Sequence, residues 1–179
     1  MEFNQVVETR RSIRKYDAAK KVSKEQIEQM IQSAIYAPSW KNAQTARYYV
    51  AMSEKAIEDV KAALPDFNVN SIEGASAIIV ATFVKDRSGY ERDGSPTTEF
   101  DHNEWGVYDL GMHNENLVLK ATELGLGTLV MGIRDGEKLH EVLSIPEDEI
   151  IMSVISVGYA AVNPQMPKRK SVEEIAKFY

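Results

Sequence analysis

Five consecutive residues, Arg10-Arg11-Ser12-Ile13-Arg14, concentrate positive charge near the start of the chain. In an extended backbone alternate side chains share a face, so Arg10, Ser12 and Arg14 would point together, with Arg11 and Ile13 opposite. Two guanidinium groups and a hydroxyl on one face can receive a phosphate, because arginine grips such oxygens in bidentate fashion. A second basic run, Lys168-Arg169-Lys170, follows Pro164 and Pro167. The two clusters could close on one anion, or each could be solvated surface. A third stretch, Ala37-Pro38-Ser39-Trp40-Lys41-Asn42-Ala43-Gln44, is dense in side chains that donate and accept hydrogen bonds, and its plain alternative is an ordinary loop.

Other chemistries find little footing. Gly125-Leu-Gly127 ends a helix pattern and enters a strand pattern, whereas a dinucleotide loop needs strand, glycine turn and then helix, so that phosphate meets a helix N-terminus. A helix cap and tight turn accounts for it. His140-Glu141 begins like a zinc-protease motif, but Ser144 stands where the second histidine belongs. The chain has three histidines, His102, His113 and His140, and the acids Asp101 and Glu104 beside His102 read as a solvated loop, so no metal is expected. No Gly-x-Ser-x-Gly elbow supports a serine hydrolase.

With 179 residues the length suits one domain, 1–179. There is no cysteine, which excludes disulfides, thiolate nucleophiles and iron–sulfur clusters and fits a reducing compartment. The net charge of -6 argues against general nucleic-acid binding. No stretch approaches the ~20 apolar residues that span a bilayer, and the N-terminus lacks a basic start and apolar run. The expectation is a cytoplasmic protein without membrane or nucleic-acid partners.

The elements that must position the three motifs are legible. Ser23 and Gln26 form a capping box, and Ile27, Met30, Ile31, Ala34 and Ile35 share a helix face that Pro38 ends. A helix follows Ser53, with Ile57, Val60 and Leu64 inward and Pro65 after it. Residues 105–124 form another, with Leu110, Leu117, Ala121 and Leu124 on one face and Gly125 as its stop. A further helix follows Asp135, with Leu139, Val142 and Leu143 apolar. Strands are predicted at 47–52, 77–84, 128–131 and 151–157, the second apolar throughout, as for a strand covered on both faces. Residues 85–104 are polar and long for a connection, so they form either an active-site lid or a floppy excursion.

Taken together, the Arg-Arg-Ser-x-Arg opening, the Ala-Pro-Ser-x-x-Asn-x-Gln loop, the Leu-Gly-Leu-Gly-Thr helix ending, Gly132-Ile133-Arg134, Ile145-Pro146, Val157-Gly158-Tyr159 and the basic tail resemble the FMN-dependent nitroreductase family over nearly the whole chain. The resemblance implies an α+β fold, a central mixed sheet flanked by helices, in an intertwined homodimer with two FMN sites at the subunit interface. It implies that Arg10, Ser12 and Arg14 hold the FMN phosphate and ribityl chain, with Arg11 near the flavin. Pro38, Ser39, Trp40 and Asn42 would reach the flavin from the other subunit. Asn68 would bond the ring edge, Gly132 and Ile133 would lie over the ring, and Lys168 or Arg169 would complete the phosphate pocket. Three departures stand out. Ser71 occupies the place of a frequent family lysine near the flavin N1 and C2 oxygen, Trp40 is bulkier than the small residue common there, and the C-terminal arm is short.

The activity so implied is ping-pong electron transfer from NADH or NADPH through FMN to a small-molecule acceptor such as a nitroaromatic or quinone. No protein acid or base is required, and no catalytic side chain is named. Two other readings remain open: a flavin-binding sensor or store without turnover, and a phosphate-ligand module of another fold. Steady-state NAD(P)H oxidation separates the first, and the colour of the purified protein the second.

Overall fold

The computed structural model describes residues 1–179. Its core is a four-stranded sheet of β1 (Ala46–Ala51), β2 (Ala77–Val84), β3 (Gly127–Met131) and β4 (Glu149–Gly158), in the order β1-β2-β4-β3 with every neighbouring pair antiparallel. The parallel contribution to the expected mixed sheet is a single bridge, Ser12 to Thr128, in which the Ile13 N–H donates to the Thr128 carbonyl at 2.9 Å. It lies along β3, an edge strand.

Helices cover both faces, giving an α+β architecture. On one side, α2 (Lys24–Ile35) and α5 (Glu104–Glu123) pack on Ala77, Ile79, Ala81 and Phe83 of β2. On the other, α3 (Glu54–Lys61) and α6 (Gly136–Leu143) meet Ile78 and Val80 through Ile57, Val60 and Leu139. The apolar run of β2 is thus divided residue by residue between two cores, the outcome its composition predicts. Burial of side chains such as Phe83 and Leu117 stabilises the fold by about 1.5–3 kcal/mol each.

Local signals account for the helix ends. The Ser23 hydroxyl accepts from the Gln26 N–H while the Gln26 amide reaches back to the Ser23 N–H. Ser53 and Asp135 cap α3 and α6 through the N–H groups of Ala56 and Lys138. Three short helices complete the chain: α1 (Phe3–Thr9), α4 (Asp66–Ser71) and α7 (Val172–Ile175). Strand β4 bulges between Ile151 and Ser153, where the register against Thr82 and Ala81 shifts by one residue.

Two glycines let the basic N-terminal segment lie against the sheet. A Cβ on Gly127 would fall 2.6 Å from Ile13 Cγ1, and one on Gly158 would fall 2.7 Å from Tyr16 Cδ1. Both distances are too short for any side chain, so glycine permits the close approach. Tyr16 is buried there and shares a 2.8 Å hydrogen bond with the Ser156 hydroxyl. Burial pushes its phenol up to about 12, against smaller opposing effects of Ser156 and Arg14.

Candidate active site

Arg14 emerges from this locked segment into a cleft of about 300 Å³. The other walls are Phe67, Asn68 and Ser71 from α4, and the run from Leu129 to Ile133 at the end of β3. Arg14 is the one cation among these lining residues. Phe67, Val130 and Ile133 are large apolar side chains left exposed here. Three such residues around one cleft suit a flat apolar ligand better than water.

Asn68 ties the cleft together. It is buried, and its amide N–H donates to the Ile133 carbonyl at 2.9 Å, joining α4 to the chain after β3. Its donor end is thus engaged, and its carbonyl oxygen remains to accept, which suits an imide N–H of a ring edge. Ser71 turns back on its own helix, donating to the Phe67 carbonyl at 2.8 Å. Gly132 lines the cleft, and a Cβ placed on it would meet nothing within 4 Å.

The second region lies at the start of α5. Residues Trp40–Asn42 form a 3-10 turn, and Lys41, Asn42 and Gln44 all have left-handed backbone, with φ of 44°, 58° and 51°. For residues other than glycine this costs about 1 kcal/mol apiece. Several contacts hold the strained loop. The Trp40 N–H donates to Asp109 Oδ2 at 3.0 Å, the Gln44 N–H donates to Ser39 Oγ at 3.1 Å, and Lys41 pairs with Glu91 at 3.0 Å. The Trp40 ring rests on Trp105 with centroids 4.6 Å apart.

Residues 85–104 take a definite form beside that loop. Tyr90 bridges Pro96, the Thr97 N–H donates to the Gly89 carbonyl at 2.8 Å, and Trp105 Nε1 donates to Thr98 at 3.3 Å. Phe100 meets the Trp105 ring edge-on. No group of three histidine and acid side chains converges as a metal site would require. No helix is long and apolar enough to cross a membrane.

A family model described as the nitroreductase family matches residues 7–159. The chain belongs to the nitroreductase family. A relative in Archaeoglobus fulgidus, provisionally named an NADH dehydrogenase/NAD(P)H nitroreductase, is 30% identical over 158 residues, covering 86% of this chain and 83% of its own. The NADPH-flavin oxidoreductase of Vibrio harveyi is 29% identical over 178 residues, covering 93% of this chain and 70% of its own. Among solved structures, a nitroreductase from Exiguobacterium sibiricum in complex with FMN superposes with a TM-score of 0.85 at 23% identity. That match covers 100% of this chain and 98% of that one, and it is a likeness of fold.

Within this family member the residues singled out from sequence fall into separate places. Arg14, Asn68, Gly132 and Ile133 line one cleft. Ser12 is exposed on the segment that bridges Thr128 and is not among the residues lining that cleft. Arg10 is half-buried and caps α1, its N–H bonded to the Val6 carbonyl. Arg11 folds back to donate to the carbonyls of Glu8 and Arg10, both at 2.7 Å, and lines a different hollow with Gly127 and Pro164. Pro38, Ser39, Trp40 and Asn42 belong to the α5 region. Lys168 and Arg169 lie exposed on the tail, where Arg169 bonds only the Pro167 carbonyl among side-chain contacts. Phe67, Leu129 and Val130 join the cleft without having drawn notice in the sequence, because an apolar residue beside a site resembles one in a core. Asp109 was also missed; a lone acid in a helix carries no spacing signal.

Proposed function

We propose that this nitroreductase-family chain is an FMN-dependent oxidoreductase that draws electrons from NADH or NADPH and delivers them to a small acceptor. The observation that carries the reading is the cleft uniting Arg14, Asn68 and Gly132. It offers a cation at one side, an amide acceptor, open backbone and exposed apolar walls, which is the donor set and shape that FMN asks for. The Exiguobacterium relative holds FMN, and the Archaeoglobus and Vibrio relatives carry names of NAD(P)H and NADPH oxidoreductases, which support the same choice.

In this reading Arg14, with Ser12 and Arg10, binds the phosphate and ribityl oxygens by charge-assisted hydrogen bonds. Asn68 accepts from the ring edge and fixes its orientation. Phe67, Gly132 and Ile133 exclude water from one ring face. Bound FMN would supply the two-electron chemistry, taking a hydride from NAD(P)H and passing reducing equivalents to an acceptor such as a nitroaromatic or quinone. The protein's own part is binding, orientation and exclusion of water, so no side chain is assigned as acid or base. Pro38, Ser39, Trp40 and Asn42 complete the site of a second copy, making the protein a homodimer with FMN at its interface. Lys168 and Arg169 close the phosphate end, and the 1–179 chain acts as one domain.

The test is direct. Purified protein, reconstituted with FMN if colourless, should show a flavin spectrum that bleaches anaerobically on addition of NADH or NADPH and returns with a quinone. Mass spectrometry should identify FMN. Release of FAD, or no flavin uptake after reconstitution, would overturn the proposal. Bleaching without turnover would point to the sensor reading.

A further inference from the structure

The Asp109 carboxylate is buried in the α5 region with no cation against it. A carboxylate out of water needs hydrogen bonds to remain there. This one takes them from two other elements. Trp40 N–H donates to both oxygens, at 3.2 and 3.0 Å, and the Ser88 hydroxyl donates to Oδ2 at 2.7 Å. Ser88 is itself buried, beside Thr45 at 3.5 Å where β1 begins. One side chain on a rigid helix therefore clamps the strained 38–44 loop and the long 85–104 segment together.

The clamp acts on Trp40. Its backbone N–H is the bonded group, the left-handed run begins at the next residue, and its ring is wedged against Trp105. The 85–104 segment backs Trp105 in turn: a Cβ on Gly89 would lie 2.7 Å from its ring. We infer that Asp109, with Ser88 as its second anchor, is a positioning residue that holds Trp40 as a fixed wall and so limits the size of acceptor admitted. This rests on the functional reading in which the 38–44 loop faces the flavin of the partner copy. It assigns the 85–104 segment a role as buttress of that wall.

The chain has two tryptophans, both in this cluster, so the far-ultraviolet circular-dichroism couplet of a tilted indole pair reports the placement of Trp40 against Trp105. Asp109→Leu keeps the branching at Cγ, adds bulk and removes the acceptor. Asp109→Asn keeps one oxygen for the Trp40 N–H and an amide that Ser88 can meet by turning its hydroxyl. The Leu variant should lose the couplet, and its ratio of kcat/KM for a two-ring quinone over a one-ring quinone should rise about tenfold, the scale of one steric contact in a pocket. The Asn variant should restore both to near the parent values. An unchanged couplet in the Leu variant, or a fall in both quinone activities with their ratio constant, would overturn the assignment. If the Leu variant does not fold, Ser88→Ala carries the test: a weakened couplet and a ratio raised by only about threefold are expected, because the Trp40 N–H bonds to Asp109 remain, and parent values would refute the clamp. The couplet is read on flavin-free protein, so a failure to take up FMN would remove the functional reading and register separately.

Discussion

The cleft at Arg14 and the loop at Trp40 are built on opposite principles. The cleft uses the ends of regular elements, α4 and β3, with Asn68 stitching them and no left-handed residue among its lining positions. The loop is irregular, carries three left-handed non-glycine residues and is held by a buried carboxylate. One region is preformed by the fold, and the other is kept in place against its own torsional preference. Under the proposed function this difference becomes a division of labour: the relaxed half would bind the constant partner, the cofactor, and the strained half would face the variable one.

The largest effect should come from filling the cleft. Gly132→Leu should leave folding intact, since a Cβ there meets nothing, yet reduce FMN affinity by at least about a hundredfold, the scale of a ~3 kcal/mol steric clash. Flavin titration checks it, and normal binding would break the distinction between the regions. Arg14→Ala comes next. Loss of one charge-assisted bond should weaken FMN about ten- to a hundredfold and riboflavin far less, because riboflavin lacks the phosphate. Equal FMN affinity in parent and variant would sink the cleft as the phosphate end.

A smaller effect is expected in alkali. Burial pushes the Tyr16 phenol up to about 12, and burial together with the neighbouring Glu149 does the same for Tyr49, whose hydroxyl donates to Glu149 at 3.0 Å. Burial raises Tyr48 as well. The folded chain therefore keeps phenol protons that the unfolded chain sheds above 10.0, the ordinary value. Their stabilisation should be complete below pH ~10 and lost as the pH climbs through about 12, seen as a falling urea midpoint. Tyr16→Phe should flatten part of that fall, and an unaltered slope would detach Tyr16 from it. Smallest of all, Ser39→Ala removes the acceptor for the Gln44 N–H and should cost about 1 kcal/mol of stability. Because Ser39 belongs to the proposed flavin site of the second copy, FMN affinity should fall as well, by about threefold and so less than in Arg14→Ala; a larger loss would mean the loop grips the cofactor as strongly as the cleft does.

Much of this fold could be read from side-chain patterns. The inward face of α5 came from a helical period, the Ser23 capping box from a three-residue spacing, and β2 from an unbroken apolar run. Helix α4 escaped because six residues after a proline contain too little periodicity to register. Of the contiguous Arg10–Arg14 motif the structure brings only Arg14 into the cleft, and Asn68 could be singled out only by family likeness. The Asp109 clamp was not legible at all. It joins residues 21 and 69 positions apart, and nothing local marks an acid whose partners are a backbone N–H and a serine.

The seating of Tyr16 and Ile13 on Gly158 and Gly127 also bears on how the protein is made. Tyr16 finds its hydroxyl partner 140 residues later, and the segment carrying Arg14 pairs with β3 only once Thr128 exists. During vectorial synthesis the first basic motif to leave the ribosome is thus among the last to acquire its place. The seat of Arg14 is incomplete on a nascent chain that stops short of β4. Under the proposed function, cofactor capture would then serve as a completion check, closed to fragments that stop short of Gly158 and fully open only to chains that carry Lys168 and Arg169.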